Sequence, residues 1–223
     1  MAAMTHAVVF DMDGTLTDTE KIWDEVRRGL ASDEGLPWPD DASTLMMGMS
    51  TQQWSAYLVD VVGLAGTAEQ VAGRTIAAMQ DHYRAGVTLL PGAPDVLHRL
   101  GAHWTLGVAS SSPRVLIDTA IEVLGVSDLV AASVSTEELG HGKPAPDVYL
   151  EACRLLGVAP GDAVAVEDSP NGIRSAVSAG LKVVVVPPRF HPPGPADLAL
   201  ADVVLDSLDD LTVDVVADLL GER

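Results

Sequence analysis

The sequence of 223 residues is long enough for one domain with a substantial insertion, or for two modest domains. Hydrophobic residues make up 48% of a chain whose formal net charge is -19, a globular composition that argues against binding to nucleic acid or to an anionic membrane surface. The N-terminus turns polar too soon for a secretory signal and the single cysteine excludes an internal disulfide, so we expect a cytoplasmic protein.

Short apolar runs rich in β-branched residues predict parallel strands that are buried on both faces. From about residue 90 onward, helical patterns alternate with these runs. The predicted strands are 7–10, 105–109, a weaker stretch near 129–134, 163–166, 183–186 and 203–205, and the helices are 94–100, 113–124, 146–156 and 170–179. The alternation predicts an α/β fold with a doubly wound, mostly parallel sheet of the Rossmann-like type.

The segment between the first two predicted strands is helical in pattern. Ile22, Trp23, Val26 and Leu30 form one apolar stripe, and two more helical stretches follow near 53–62 and 68–83. We therefore predict an α/β core of residues 1–17 and 90–223, interrupted by an all-helical cap of residues 18–89.

Several residues predict where helices begin and end. Ser112 before Pro113 predicts an N-cap followed by proline at the first helical position. Gly125, Gly157 and Gly180 predict three helix ends, and the proline-rich stretch 187–195 is predicted to be a loop.

Polar side chains follow the predicted strands at the point where each strand ends. They are Asp11 and Asp13 in VVFDMDGTLTD, Ser110 in LGVASSS, and Glu167 and Asp168 in AVAVEDSPNG, with Lys143 in the loop HGKPAPD before a helix. Ligands of open α/β sheets bind outside the carboxyl ends of the strands, so we expect these groups to converge at one edge of the sheet.

The carboxylates of this set have complementary uses. Asp11 can attack phosphorus and form an aspartyl-phosphate, while Asp13 can protonate the leaving oxygen and later activate water. Oxygen ligands suit magnesium, so Asp11 and Asp168 are predicted to bind Mg²⁺, with Glu167 as a ligand or outer-shell partner. The cation would let an anionic nucleophile approach an anionic phosphate.

The remaining groups suit the binding of a phosphoryl group. Ser110 can donate a hydrogen bond to it, Lys143 can neutralise its charge, and Gly14 allows close backbone approach after the nucleophile. Each residue also has an ordinary interpretation, such as a turn at Asp13-Gly14, a helix cap at Ser110 or a solvated surface lysine at position 143. Their joint placement at successive strand ends favours a catalytic site.

These motifs carry a family resemblance. DMDGTLTD, ASS, GKPAPD and VEDSPNGI resemble, in order, the four motifs of the haloacid dehalogenase superfamily of phosphatases and phosphomutases, in the branch with a helical cap. The resemblance implies that the backbone carbonyl of Asp13 also binds magnesium, and that Ser111 and Asn171 line the site. It also implies phosphoryl transfer rather than dehalogenation, because an aspartate stands at position 13.

We therefore expect a monomeric, magnesium-dependent phosphohydrolase that acts on a small phosphorylated metabolite, such as a sugar phosphate. The alternative enzyme is a phosphomutase like β-phosphoglucomutase, whose cap carries basic residues for a second phosphate. Met47 and Thr51 stand where the mutase would have a lysine and an arginine, and Trp23 stands where it has a histidine, which favours hydrolysis. A non-enzymatic binding module that retains the fold is the third interpretation.

Overall fold

A computed structural model describes residues 6–46, 49–189 and 192–222. Within these ranges the strands form one six-stranded, entirely parallel sheet in the order β3-β2-β1-β4-β5-β6. They are β1 (Ala7–Phe10), β2 (Thr105–Ser110), β3 (Val130–Ser135), β4 (Ala163–Glu167), β5 (Lys182–Val185) and β6 (Val203–Val204). The predicted doubly wound α/β fold is confirmed.

Helices surround this sheet and fill the segment after β1. They are α1 (Glu20–Asp33), α2 (Ala42–Met46), α3 (Thr51–Tyr57), which continues as a π-helical turn (Leu58–Val62), α4 (Ala68–Gly86), α5 (Ala93–Gly101), α6 (Arg114–Leu124), α7 (Asp147–Leu156), α8 (Pro170–Ala179), α9 (Pro195–Leu198) and α10 (Val213–Leu220). Among the described helices, none combines the length and the apolar character that crossing a membrane requires.

The alternating side chains of β1 divide the core between the two faces of the sheet. Val8 and Phe10 pack with side chains of α5, α6 and α10, whereas Ala7 and Val9 pack with side chains of α7 and α8. Cys153 is buried in the second cluster, as its position on the apolar face of its helix predicts.

The helices between β1 and α5 have an apolar cluster of their own around Trp54, Leu58 and Val71. The chain leaves and returns to the sheet side by side, because the Asp18 amide donates to the Thr88 carbonyl at 2.8 Å and the Leu90 amide to that of Leu16 at 3.0 Å. These two hydrogen bonds join the outgoing and returning segments near residues 17 and 90. The division into core and cap stays a prediction.

The structure corrects some local predictions. Helix α6 begins at Arg114 with Pro113 at its N-cap, so Ser112 is not the cap. Pro195 begins the short helix α9 instead of closing the loop. The predicted glycine ends at Gly125, Gly157 and Gly180 are confirmed, each in the left-handed conformation. Met47 of the cap loop lies outside the described residues.

Candidate active site

The three central strands bring the first carboxylates together. Strands β2, β1 and β4 are neighbours, and the register pairs Phe10 with both Val108 and Val166. Asp11 therefore leaves the sheet directly beside Glu167, and its amide donates to the Val166 carbonyl at 2.9 Å.

Lys143 lies between these two carboxylates. Its Nζ is 2.6 Å from Asp11 Oδ1, 2.6 Å from Glu167 Oε1 and 3.0 Å from the Ala109 carbonyl oxygen. The lysine side chain is only 4% exposed, so it is not a solvated surface lysine. A buried ammonium requires such pairing, and the arrangement fixes the positive charge beside Asp11.

Glu167 is held at both of its carboxylate oxygens. Oε1 also accepts from the Tyr149 hydroxyl at 2.7 Å, and Oε2 accepts from the Asp168 amide at 3.2 Å and the Ser169 hydroxyl at 3.2 Å. A Cβ atom at Gly172 would collide with this carboxyl group. The side chain is thus fully engaged as the counter-ion of Lys143.

Three carboxylates meet closely enough to share a cation. Ligand atoms of Asp11, Glu167 and Asp168 lie within 4.8 Å of one another, and all three residues are buried. A Cβ atom at Gly14 would collide with the Asp168 carboxylate, so glycine allows the backbone after the nucleophile to approach it. A set of hard oxygen donors fits Mg²⁺ better than it fits softer metals.

The carboxylate of Asp13 accepts hydrogen bonds from four side chains. Oδ1 accepts from Thr19 Oγ1 at 2.6 Å, Tyr83 OH at 2.9 Å and Trp23 Nε1 at 3.5 Å, and Oδ2 accepts from Ser112 Oγ at 2.6 Å. Helices α1 and α4 therefore help to orient a group at the end of β1. Sequence reasoning missed these roles; Tyr83 in particular lies 70 residues from Asp13, and no motif points to it.

The serines after β2 complete this edge of the sheet. Ser110 is buried, and its Oγ accepts from the Ser112 amide at 3.0 Å, which leaves its hydroxyl proton for another acceptor. Ser111 follows β2 directly and is half-buried, as is Asn171 in the first turn of α8. Ser111 follows β2 and Asn171 follows β4 at the carboxyl edge of the sheet, and their part in the site stays a prediction.

Burial and neighbouring charges shift the pKa values of Asp11 and Lys143. Burial raises the pKa of Asp11 to about 8, because the loss of water outweighs the lowering effect of Lys143. Burial acts to lower the pKa of Lys143, yet the charges of Asp11 and Glu167 outweigh it and raise that pKa. Lys143 therefore stays protonated, and a cation bound beside Asp11 would favour the ionised carboxylate.

A buried arginine lies one turn along α1 from Trp23. The guanidinium carbon of Arg27 is 4.7 Å from the Trp23 ring centroid and 4.9 Å from that of Trp54, as in cation–π contacts. Burial lowers the pKa of Arg27 to about 10, opposed by the charges of Asp24 and Asp13. Helix α1 thus brings a positive charge toward Asp13 together with the indole N–H.

The chain is similar to known proteins along most of its length. The family model for haloacid dehalogenase-like hydrolases matches residues 5–180. The chain is 34% identical to a probable pseudouridine-5'-phosphatase of Drosophila melanogaster over 84% of each chain, and 32% identical to hexitol phosphatase B of Escherichia coli K12 over 96% of each. It also shares its fold with β-phosphoglucomutase of Clostridium difficile, with a TM-score of 0.82, 22% identity and 98% coverage of each chain.

Proposed function

The chain belongs to the haloacid dehalogenase-like hydrolases and is a phosphatase, and we propose that it hydrolyses a small phosphomonoester, such as a sugar phosphate, with magnesium. One observation carries the proposal: carboxylate oxygens of Asp11 and Asp168 lie within 4.8 Å of each other, with the Lys143 ammonium 2.6 Å from Asp11. A nucleophile, a cation site and a fixed positive charge then surround one position at the carboxyl edge of the sheet.

The proposed reaction has two displacements. Asp11 attacks phosphorus and forms an aspartyl-phosphate, while Asp13 gives a proton to the departing alcohol oxygen. Asp13 then takes a proton from the water that hydrolyses the acyl phosphate and frees Asp11. The four donors around Asp13 orient its carboxylate for both transfers.

The binding groups have separate tasks. Lys143 neutralises charge on the phosphoryl group, and Ser110 donates a hydrogen bond to it. Asp11, Asp168 and the backbone carbonyl of Asp13 would hold magnesium, which offsets the negative charges of nucleophile and phosphate. Glu167 acts from outside the ligand shell, since five hydrogen bonds already engage its oxygens. Ser111, Asn171 and Gly14 border the phosphate, and the cap closes over it.

The phosphomutase alternative has less support. Thr51 and Trp23 occupy positions where the mutase carries basic or imidazole side chains, and the likeness to the solved mutase rests on the fold. We propose that water, rather than a second hydroxyl of the sugar, takes the phosphoryl group.

The substitution Asp11→Asn tests the nucleophile. We expect phosphate release to fall at least about a thousandfold, as the loss of a nucleophile does in other enzymes. The assay is release of inorganic phosphate from hexitol phosphates and from an aryl phosphate, with magnesium and with a chelator. Asp118→Asn, at an exposed surface ion pair, is the matched control and should leave the rate unchanged. Near-normal turnover by Asp11→Asn would refute the assignment.

A further inference from the structure

The carboxylate of Asp13 is held from the side of the sheet as well as from the inserted helices. Its Oδ1 accepts hydrogen bonds from side chains of the segment between β1 and α5, whereas its Oδ2 accepts from Ser112 Oγ at 2.6 Å. A hydroxyl that donates to a carboxylate makes a strong hydrogen bond. The orientation of the Asp13 carboxylate therefore depends on where the backbone holds Ser112.

The backbone at Ser112 can be fixed in few ways. The next residue, Pro113, has no amide hydrogen, so the peptide unit between the two can form a hydrogen bond only through the Ser112 carbonyl. That carbonyl accepts from Ser135 Oγ at 2.7 Å in a buried contact. Ser135 is the last residue of β3, pairs with Ser110 in the sheet and is fully buried. Its hydroxyl thus orients the residue that binds Asp13.

Ser135 is in turn held by an ion pair at the edge of the sheet, since β3 is the edge strand. The Ser135 amide donates to Glu138 Oε2 at 3.1 Å. Arg114 donates to both oxygens of the Glu138 carboxylate, at 2.8 and 2.7 Å, and to the Ser133 carbonyl at 2.8 Å. Connected hydrogen bonds therefore join Asp13 to a rigid, two-pronged ion pair outside the inserted segment.

We infer that Ser135 is a positioning residue for the transfer of the acid proton, acting through Ser112 on Asp13. The inference rests on the proposed phosphatase function. In its first displacement an Asp11 oxygen bonds to phosphorus as the bond to the ester oxygen breaks, and the electron pair left on that oxygen takes the proton of Asp13. A carboxyl group that turns away from the ester oxygen transfers its proton less well.

Two phosphate esters separate this proton transfer from the rest of the reaction. The alcohol of a hexitol phosphate must be protonated as it leaves, whereas nitrophenolate leaves p-nitrophenyl phosphate as a stable anion without a proton. The ratio kcat/KM covers binding and the first displacement and excludes the later attack of water, in which Asp13 has its second task. Ser135→Ala should lower kcat/KM by about fivefold for the hexitol phosphate and by less than about twofold for p-nitrophenyl phosphate.

Further variants trace the path of the effect. Ser112→Ala should show the same selectivity with a larger loss, about tenfold for the hexitol phosphate, because it removes the hydrogen bond to a charged acceptor. Adding Ser135→Ala to this variant should cause no further loss, since Ser135 acts through the Ser112 hydroxyl. Ser55→Ala is the matched control: it is another buried serine whose hydroxyl donates to a backbone carbonyl, that of Gln52 at 3.3 Å, and it should leave both rates unchanged.

The exposed end of the network provides a variant that does not disturb the core. Glu138 is exposed, and Glu138→Ala should lower kcat/KM for the hexitol phosphate by about threefold with p-nitrophenyl phosphate unaffected. If Ser135→Ala does not fold, Glu138→Ala decides the question in its place, and an equal effect on the two esters would overturn the inference.

The outcomes separate two failures. Equal losses on the two esters in Ser135→Ala or Ser112→Ala, or additive losses in the double variant, would overturn the inference and leave the phosphatase function intact. Absence of phosphate release from both esters by the unaltered protein would overturn the proposed function and the inference with it.

Discussion

The hydroxyl of Tyr83 connects a helix of the inserted segment to the proposed acid. It is fully buried and lies 2.9 Å from Asp13 Oδ1. Burial raises the pKa of Tyr83 well above its usual value, and the charge of Asp13 raises it further. The phenol therefore remains a hydrogen-bond donor throughout the working pH range. A neutral donor of this kind can orient Asp13 without competing for its proton.

The substitution Tyr83→Phe should therefore lower kcat by about tenfold with little change in KM, because a misplaced catalytic group slows reaction more than binding. The lost hydrogen bond should also cost about 1–2 kcal/mol of unfolding free energy. Steady-state kinetics and urea denaturation measure the two effects. Tyr57→Phe, in the apolar cluster of the inserted helices, is the control; an unchanged kcat in Tyr83→Phe would show that the phenol only stabilises the fold.

Sequence reasoning at this scale found the groups that lie at strand ends and missed those that helices deliver. Asp11 and Asp168 were predictable because parallel strands end at one edge, Lys143 because it lies in the loop before a helix of the same sheet, and the structure brings the three together. Trp23 and Tyr83 reach Asp13 only after α1 and α4 dock, which no local pattern encodes.

Ser112 shows how a local signal can be overruled. A serine before proline is an ordinary helix-start signature, yet its hydroxyl donates to Asp13 Oδ2 at 2.6 Å instead of capping α6. A hydroxyl that donates to a carboxylate makes a stronger hydrogen bond than a hydroxyl that accepts from a backbone amide, so the tertiary contact prevails.

Two helices of the fold begin with matched caps but differ in what else the cap touches. Thr67 caps α4 by accepting from the Gln70 amide at 3.2 Å, and Ser169 caps α8 by accepting from the Gly172 amide at 3.1 Å. Only Ser169 also contacts the site, through Glu167 Oε2. Comparing the two caps therefore distinguishes what a cap adds to the stability of its helix from what it adds to function.

Thr67→Ala and Ser169→Ala should each cost about 1 kcal/mol of unfolding free energy, as the loss of an N-cap does. Only Ser169→Ala should slow phosphate release, by about fivefold, since it frees one oxygen of Glu167 from a donor. Denaturation and kinetics on both variants check this. Equal activity in the two would mean that the Ser169 contact to Glu167 does not matter for turnover.

The bounds of strands and helices could be predicted from the sequence where the residue pattern agrees with the packing in the fold. The β-branched run at 163–166 was predicted within one residue of β4, because both faces of this strand are buried. Helix α2 has only five residues, too few to show a periodic pattern. Helix α10 is rich in valine, so its local preference does not favour a helix, and packing of Val216 on the core decides.

At the scale of the whole molecule, the net charge of -19 sets the background for cation binding. Any salt screens this self-repulsion and stabilises the fold to some degree, whereas a specific ion adds stability only through its ligands. The two effects can be separated by matching ionic strength.

Magnesium should raise the melting temperature above the value in sodium chloride of equal ionic strength, because it binds the folded state alone. Asp168→Asn should keep the rise in melting temperature that any salt produces. It should lose the additional rise that magnesium produces, which is called the excess here. The excess should grow as pH rises toward 8, since burial raises the pKa of Asp11 to about 8 and a proton on this carboxyl competes with the cation. Differential scanning fluorimetry measures this; equal excess in wild type and Asp168→Asn would place the ion elsewhere.

The central position of β1 has a consequence for how the chain is made. Ala7 pairs on one side with Thr105 and on the other with Ala163, so β1 is synthesised well before both of its neighbours. The helices after β1 are synthesised before either partner exists, and they carry their own apolar cluster. Until β2 has been synthesised, the nascent chain must hold an apolar, unpaired strand, which makes this stage the one most exposed to aggregation.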